Sequence, residues 1–465
     1  MSNNSKALKS GLWYTVANFL TKAVGIITTP IFTRLLTHEE FGLYNNYTSW
    51  LAVLTILVTL NLESTFISAR FDYKEKFDDY IFSTLCLSSL SAIIWIIILN
   101  LFGDWTVVRL GMNRIYINCM MIYLLFYPAI NMFQVRERFK YEYKVSVILS
   151  FIITVGTALA SVGLVLWLPD KLMGRIFGSS IPSIIVGFIL YTYIYRKGRH
   201  IKISYWKYAL PICLPYIPHL LSLSVLNSVD RIMITNRCGA EDNALYSLAY
   251  TASCVVSILL TSLNTAYSPW LGEQLNAKNF SEIKDFSKKY IMIFSGLALG
   301  IMLVSPEIIL ILGGKTYIEA KYVMPPVMLG CVCQFLYTMF VNVEQYYKKT
   351  IGMAVASVSA ALINYILNYI FIPKYGYIAA AYTTLISFLW LQLVHMFLVY
   401  RIGHSNVYSY KFILLTVVIM TLVSIGVNFL YEHMILRFFI LTIYMLLLCA
   451  CVFVNRSKIL IILKK

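Results

Sequence analysis

Apolar runs of about twenty residues, the length that the hydrocarbon core of a bilayer demands of a helix, recur from one end of this chain to the other. They fall at 10–33, 41–69, 80–101, 115–135, 145–168, 175–195, 209–235, 245–270, 290–313, 325–347, 351–373, 376–400, 411–431 and 436–454. In hydrocarbon every backbone polar group must be satisfied within its own segment, so runs of this length are helices. The expected fold is an all-α polytopic membrane protein of fourteen transmembrane helices. Composition agrees: 59% of the 465 residues are hydrophobic and 13% charged, where a soluble domain carries about 25% charged. Mean hydropathy is +0.74.

The formal net charge of +17 would suggest nucleic acid in a soluble protein. Here the basic residues lie mostly in short segments between apolar runs, where they set membrane orientation, so nucleic acid is not an expected partner. With the N-terminus inside, 26 of the 38 Lys and Arg fall in cytoplasmic segments and 10 outside, leaving Lys22 and Arg231 within helices. Both termini are therefore expected in the cytoplasm. The start, MSNNSKALKSGLWYTVANFL, runs directly into apolar sequence and reads as the first spanning helix. Nine cysteines, with Cys331/Cys333 and Cys449/Cys451 inside apolar runs, imply neither disulfides nor a metal site. The longest connection, about Gly272 to Tyr290, reads as a polar loop, so no soluble domain is expected on either side.

An internal repeat organises the helices. T-H-E-E-F-G-L-Y ending at Tyr44 matches G-A-E-D-N-A-L-Y ending at Tyr246, an offset of 202, and Tyr195–Lys207 matches Tyr400–Lys411 at an offset of 205. Each half holds six helices, an even number, so the halves enter the membrane in the same orientation as parallel repeats. The expected organisation is an N-terminal six-helix bundle (1–200), a C-terminal six-helix bundle (201–405), and helices 13 and 14 appended (406–465).

Polar stripes then mark four helices. Helix 1 carries Thr15, Asn18, Lys22, Gly25, Thr29 and Thr33 at steps of three or four, which share one face. Helix 8 carries Tyr246, Tyr250, Ser253, Ser257, Thr261, Asn264 and Ser268; helix 2 carries Thr48, Ala52, Thr55, Thr59 and Glu63; helix 7 carries His219, Ser222 and Asp230, with Asn227 close by. A path between the halves and simple helix–helix adhesion both account for such stripes.

Charges at mid-helix are harder to explain as adhesion. A charge at the bilayer centre costs about 2.5–3.5 kcal/mol on insertion scales, so it faces a partner or a hydrated cavity. Lys22 and Arg231 could hold an anionic group, the ammonium as a point charge and the guanidinium as a fork of donors; the competing reading is a buried ion pair with Asp230 or Glu63. By the 202 offset Lys22 corresponds to Ser224, six residues before Asp230, a difference in depth of about 9 Å, which argues against a direct Lys22–Asp230 bridge. Asp230 then either restrains Arg231 or serves as a proton or cation site. Glu63 is a second coupling-ion candidate, with snorkelling to the cytoplasmic surface as its alternative. Glu344 and Glu307, near helix ends, read as interfacial, and His219 as an interhelical hydrogen bond. Pro211, Pro215 and Pro218 should bend or break helix 7.

Lys22, the T-R-L-L-T-x-E-E-F-G-L-Y run (Thr33–Tyr44), the L-P-x-x-P-x-x-L-S segment opening helix 7, the S-V-D-R run around Asp230 and the following A-L-Y-S-L-A-Y together resemble the Wzx-type polysaccharide flippases. These belong to the superfamily that includes the multidrug and toxic compound extruders, and the resemblance spans essentially the whole chain. It implies translocation of an oligosaccharide carried on undecaprenyl pyrophosphate, from the cytoplasmic to the periplasmic leaflet of a bacterial inner membrane. It also implies a V-shaped cavity between two bundles, with cationic residues on helices 1 and 7 that match Lys22 and Arg231, and polysaccharide polymerase and chain-length proteins as partners. Asn18, Tyr246, Tyr250 and Asn264 on the polar stripes complete the expected substrate-binding set. No cofactor is expected beyond H⁺ or Na⁺ as a coupling ion. A cation-coupled multidrug exporter and a lipid II flippase share the architecture. A membrane glycan polymerase or ligase, the alternative from a different class, would need a catalytic constellation on a sizeable outer loop, and none is visible.

Overall fold

A computed structural model describes residues 3–139, 143–349 and 351–454, and the side chains of 19–138, 144–265, 267–349, 352–447 and 450. Among the described residues all regular structure is helical. The α-helices are α1 (Asn3–Leu35), α2 (His38–Thr59), α3 (Phe66–Asp72), α4 (Phe77–Leu101), α5 (Gly103–Leu110), α6 (Arg114–Phe139), α7 (Tyr143–Trp167), α8 (Lys171–Lys197) and α9 (Ile203–Cys213). They continue as α10 (Ile217–Cys238), α11 (Ala240–Asn276), α12 (Phe280–Leu303), α13 (Ser305–Gly313), α14 (Met324–Tyr346), α15 (Ile351–Tyr375), α16 (Tyr377–Arg401), α17 (Tyr410–Leu430) and α18 (Met434–Val454). Eleven spans in the described residues are long and apolar enough to cross a membrane, and twelve when α2 and α3 count as one bent span. Helices α1 and α18 occupy the first and last of the fourteen expected positions. Large apolar side chains stand exposed along the helices, Ile435 at 89%, Trp167 at 79% and Val108 at 77%, a surface that only lipid can cover without penalty.

The helix boundaries differ from the apolar runs in three instructive places. The run 41–69 is bent by 51° between α2 and the turn Leu62–Asp72, because Leu60 and Asn61 adopt left-handed backbone with φ of 57° and 49°. A leucine there costs about 1–2 kcal/mol, and neither proline nor glycine announces the break. The run 290–313 divides into α12 and α13 at Val304, where Pro306 sits in the first turn of α13. The expected loop Gly272–Tyr290 is mostly helix: α11 runs on to Asn276 and α12 begins at Phe280, since the charged sequence after Asn279 is solvated at no cost beyond the membrane. Pro211, Pro215 and Pro218 do not break their span. They convert one turn, Leu214–Tyr216, to 3₁₀ geometry between α9 and α10, which removes the donors that proline lacks from the α-helical ladder.

The chain packs as two compact units, Met1–Cys254 with Ile351–Ser387, and Val255–Thr350 with Phe388–Lys465. In the first, α7 and α8 approach through Gly174 and Gly178, where a Cβ would stand 2.6 Å from the Leu164 carbonyl oxygen and 2.3 Å from the Ser161 Cα. This small-xxx-small spacing lets two membrane helices come into backbone contact. The repeated T-H-E-E motif proves to be a helix start: Thr37 and Glu40 form a reciprocal capping box on α2, with Glu40 Oε2 accepting from Thr37 N at 2.8 Å. In the second copy Gly239 and Ala240 take the same position ahead of Glu241 and Asp242. The two copies touch, since Asn243 Nδ2 donates to the Gly42 carbonyl at 2.9 Å and a Cβ on Gly42 would lie 1.7 Å from the Ala240 oxygen.

In the second unit α12, α14 and α17 pack together, with Phe294 stacked on Phe335 at 4.2 Å. Glu307 is not left to solvent at an interface. Its carboxylate accepts from both terminal nitrogens of Arg437, at 2.8 and 2.5 Å, and so ties α13 to α18.

Candidate substrate path and coupling site

Asp230 stands on α10, 2% exposed. An isolated carboxylate buried in hydrocarbon is costly enough to neutralise itself, but here three donors converge on it. Oδ1 accepts from Asn368 Nδ2 at 2.6 Å; Oδ2 accepts from Tyr246 Oη and Thr384 Oγ1, each at 2.5 Å. A second layer holds those donors: Asn368 also donates to Asn364 Oδ1 at 3.2 Å, Asn364 donates to Thr384 Oγ1 at 3.0 Å, and Thr383 Oγ1 donates to Asn368 Oδ1. Hydrogen bonds to charged groups contribute about 1.5–3 kcal/mol each, so the set reduces the cost of burying the carboxylate. It accepts at both oxygens, the pattern of an ionised carboxylate. Carboxylate, amide and hydroxyl oxygens in one cluster are also the donors a hard cation selects.

Four helices build this centre: Asp230 stands on α10, and its partners come from α11, α15 and α16. Asn364 and Asn368 are one turn apart on α15, Thr383 and Thr384 are neighbours on α16, and Tyr246 comes from the first turns of α11. The sequence reading found Asp230 and Tyr246 but not the other four. Their signal was present as buried polar residues in otherwise apolar runs, N-Y-I-L-N and Y-T-T, but nothing in a single sequence places them beside Asp230.

Arg231 turns away from its neighbour, as successive residues on a helix must. Asp230 does not restrain it through an ion pair. Instead its guanidinium carbon stands 5.2 Å from the ring centroid of Tyr250, and Nε is buried without a partner. Tyr250 lies against Tyr246, ring centroids 4.9 Å apart. One pair of tyrosines therefore separates the two charges, Tyr246 bonding the carboxylate and Tyr250 facing the guanidinium.

Lys22 is exposed on α1. Among the described residues neither Lys22 nor Arg231 forms an ion pair, so the buried-pair alternative with Asp230 or Glu63 does not hold. Asn18 lies outside the residues whose side chains are described. Asn264 belongs to the second unit, where its Oδ1 accepts from Asn342 Nδ2 at 2.7 Å.

Glu63 is held elsewhere. The bend after Leu60 places it in the 3₁₀ turn Leu62–Thr65, where Oε1 accepts from Asn131 Nδ2 of α6 at 2.5 Å. The same bend meets the interrupted span of α9 and α10: Cys213 Sγ lies 3.5 Å from the Asn61 carbonyl oxygen and 3.6 Å from Ser64 Oγ. Two irregular turns thus adjoin. His219 makes the interhelical bond expected of it, Nδ1 to Ser357 Oγ at 3.0 Å. The hydroxyls of the stripes largely bond their own helices, as Thr29 does to Gly25, Thr33 to Thr29, Thr55 to Leu51 and Thr261 to Ser257. Those faces consequently carry polarity without consuming an interhelical partner.

Comparison with known proteins places the fold and the family. A solved structure of the lipid II flippase MurJ in an inward closed conformation superposes with a TM-score of 0.71 at 16% identity, over 96% of this chain and 100% of that one. An inward-facing multidrug transporter of the MATE family gives 0.61 at 13% identity, over 84% and 95%. The Lsg locus protein 1 of Haemophilus influenzae is 26% identical over 77% of this chain and 89% of its own length. The sequence model of the MatE family matches residues 215–370, and that of the polysaccharide biosynthesis protein family matches residues 7–275, more than half of the chain. The chain belongs to the polysaccharide biosynthesis protein family, a multi-pass membrane protein with the fold of the flippases and multidrug transporters.

Proposed function

We propose that the protein carries an oligosaccharide repeat unit on undecaprenyl pyrophosphate from the cytoplasmic to the periplasmic leaflet of a bacterial inner membrane by alternating access. The observation that carries this reading is the pair of cations, Lys22 and Arg231, neither of which forms an ion pair among the described residues, with Arg231 Nε buried and unsatisfied. An anionic pyrophosphate supplies the missing counter-charge, and the hydroxyl-bearing faces of α1 and α11 suit the sugars behind it. A cationic drug would be repelled by the same pair. The two halves of the repeat, 1–200 and 201–405, are the moving bodies in this reading, with both termini cytoplasmic and residues 406–465 appended. The adjoining irregular turns at Leu60–Asn61 and Leu214–Tyr216 are where the backbone gives. Asp230 is the coupling site, taking a proton or Na⁺ in exchange for the hydrogen bonds that now hold it. A polysaccharide polymerase and chain-length proteins receive the product.

Deletion of the gene in its host tests the reading at the level of the cell. Surface glycan is lost, and lipid-linked repeat units accumulate on the cytoplasmic leaflet, where an impermeant glycosidase added to inverted membrane vesicles removes them. Unchanged glycan with increased sensitivity to cationic dyes would contradict the proposal in favour of multidrug export. Rescue of a strain depleted of its lipid II flippase would move the substrate to lipid II.

A further inference from the structure

A second buried ionisable centre lies in the other compact unit. Glu344, two residues before the end of α14, does not reach the surface: its side chain is 1% exposed, and that of His395 on α16 is 3%. His395 Nδ1 and Glu344 Oε1 stand 2.7 Å apart. The other carboxylate oxygen, Oε2, is buried with no partner among the described residues, and so is Oε1 of Gln392, a residue 1% exposed. Gln392 precedes His395 by three residues and shares its helix face. The ring of Tyr337, on the same helix as Glu344, stacks over His395 with centroids 5.7 Å apart.

A buried acceptor left without a donor is costly. One added proton turns Glu344 Oε2 from an unpaired acceptor into a donor, and Gln392 Oε1, on the helix face of His395, is a buried acceptor that also lacks a partner. We infer that Glu344, His395 and Gln392 form a proton-binding site in the second unit, separate from Asp230, which is loaded and emptied during the transport cycle. The proton comes from water at the end of α14 that the charge asymmetry assigns to the cytoplasm, where Lys348 and Lys349 are exposed. Throughout, His395 keeps its bond to Oε1, so that uptake neutralises the carboxylate without dismantling the pair. No redox partner or leaving group is required.

The ionisable groups around the pair are nearly all tyrosines. From α17 Tyr410 donates to the Met396 carbonyl at 3.3 Å; Tyr408, ahead of α17, donates to the Met339 carbonyl and accepts from Tyr267 of α11; from α12 comes Tyr290, whose hydroxyl is buried without a partner. On α14 itself stand Tyr337, Cys331 and Cys333. His404, beyond α16, stacks on Tyr347 at 3.7 Å. None of these carries a fixed charge.

Infrared difference spectroscopy of the full-length protein in phospholipid nanodiscs reads the site directly and does not depend on which lipid is transported. Lowering the pH should raise a carboxylic-acid C=O band that Glu344→Gln removes. In His395→Gln the band should persist with its midpoint moved by about one pH unit, a tenfold change in proton affinity. The His395 variant keeps the carboxyl and carries the test alone if Glu344→Gln does not assemble. Identical spectra in wild type and Glu344→Gln, or an unmoved midpoint in His395→Gln, would overturn the assignment. A band that disappears on adding NaCl at constant pH would overturn it in favour of a sodium site.

Discussion

Arg231→Ala and Lys22→Ala should each lower surface glycan by about tenfold or more while leaving the protein in the membrane at its normal level. Arg231 makes no ion pair among the described residues, and its Nε is buried unsatisfied; its one named contact is the ring face of Tyr250. Removing it breaks no internal salt bridge, so the usual cause of large destabilisation, a stranded opposite charge, is absent. Loss of a single charge-assisted contact to a phosphate costs about 1.5–3 kcal/mol, and every 1.4 kcal/mol is about tenfold in binding. Arg231→Lys separates charge from geometry: a lysine keeps the charge but not the planar fork, and should restore part of the export. Quantifying surface glycan against membrane protein level in the three variants checks the claim. Normal display in both alanine variants would remove the cationic path.

Asp230→Asn should leave translocation possible but deaf to the ion gradient. Asparagine matches aspartate in shape, so the pocket of Tyr246, Asn368 and Thr384 persists, but one acceptor oxygen becomes a donor facing donors. The charge that a proton or Na⁺ would neutralise is gone. Because one pH unit is worth about 1.4 kcal/mol, a wild-type protein coupled through this residue gains up to about tenfold in directed transport from such a gradient, and the variant gains none. Rates measured in proteoliposomes with and without an imposed proton or Na⁺ gradient distinguish the two. A variant that still responds as wild type does would exclude Asp230 as the coupling site. The same experiment on Glu63→Gln, the second candidate carboxylate, which accepts from Asn131 in the turn after the bend, separates its contribution: a lost response there would assign coupling to Glu63 as well.

Much of this architecture was legible before any coordinates. Helix length against bilayer thickness gave the spans, and the 202-residue offset identified Thr37–Tyr44 and Gly239–Tyr246 as equivalent helix starts. The offset did not disclose that these starts bond to each other through Asn243 and Gly42. Asp230 and Tyr246 stood out because a charge and a tyrosine on a polar face are costly in lipid. Asn364, Asn368, Thr383 and Thr384 did not, because uncharged polar residues in membrane helices have many uses and only tertiary contact chooses among them. The bend at Leu60–Asn61 was invisible for a different reason: two left-handed residues stand where neither proline nor glycine interrupts the run. Charges near helix ends were harder to place. Glu344 read as interfacial yet is buried beside His395, whereas Glu307 is 37% exposed and paired with Arg437.

Direct translocation is the measurement closest to the central claim. Purified protein reconstituted into liposomes with a fluorescent undecaprenyl-pyrophosphate oligosaccharide in the inner leaflet should deliver the label to an impermeant quencher outside, and Arg231→Ala should do so at least about tenfold more slowly. A neutral lipid bearing the same sugars should not move. Equal transport of the neutral and pyrophosphate lipids, or equal rates for wild type and Arg231→Ala, would contradict recognition of an anionic headgroup by the unpaired cations of α1 and α10.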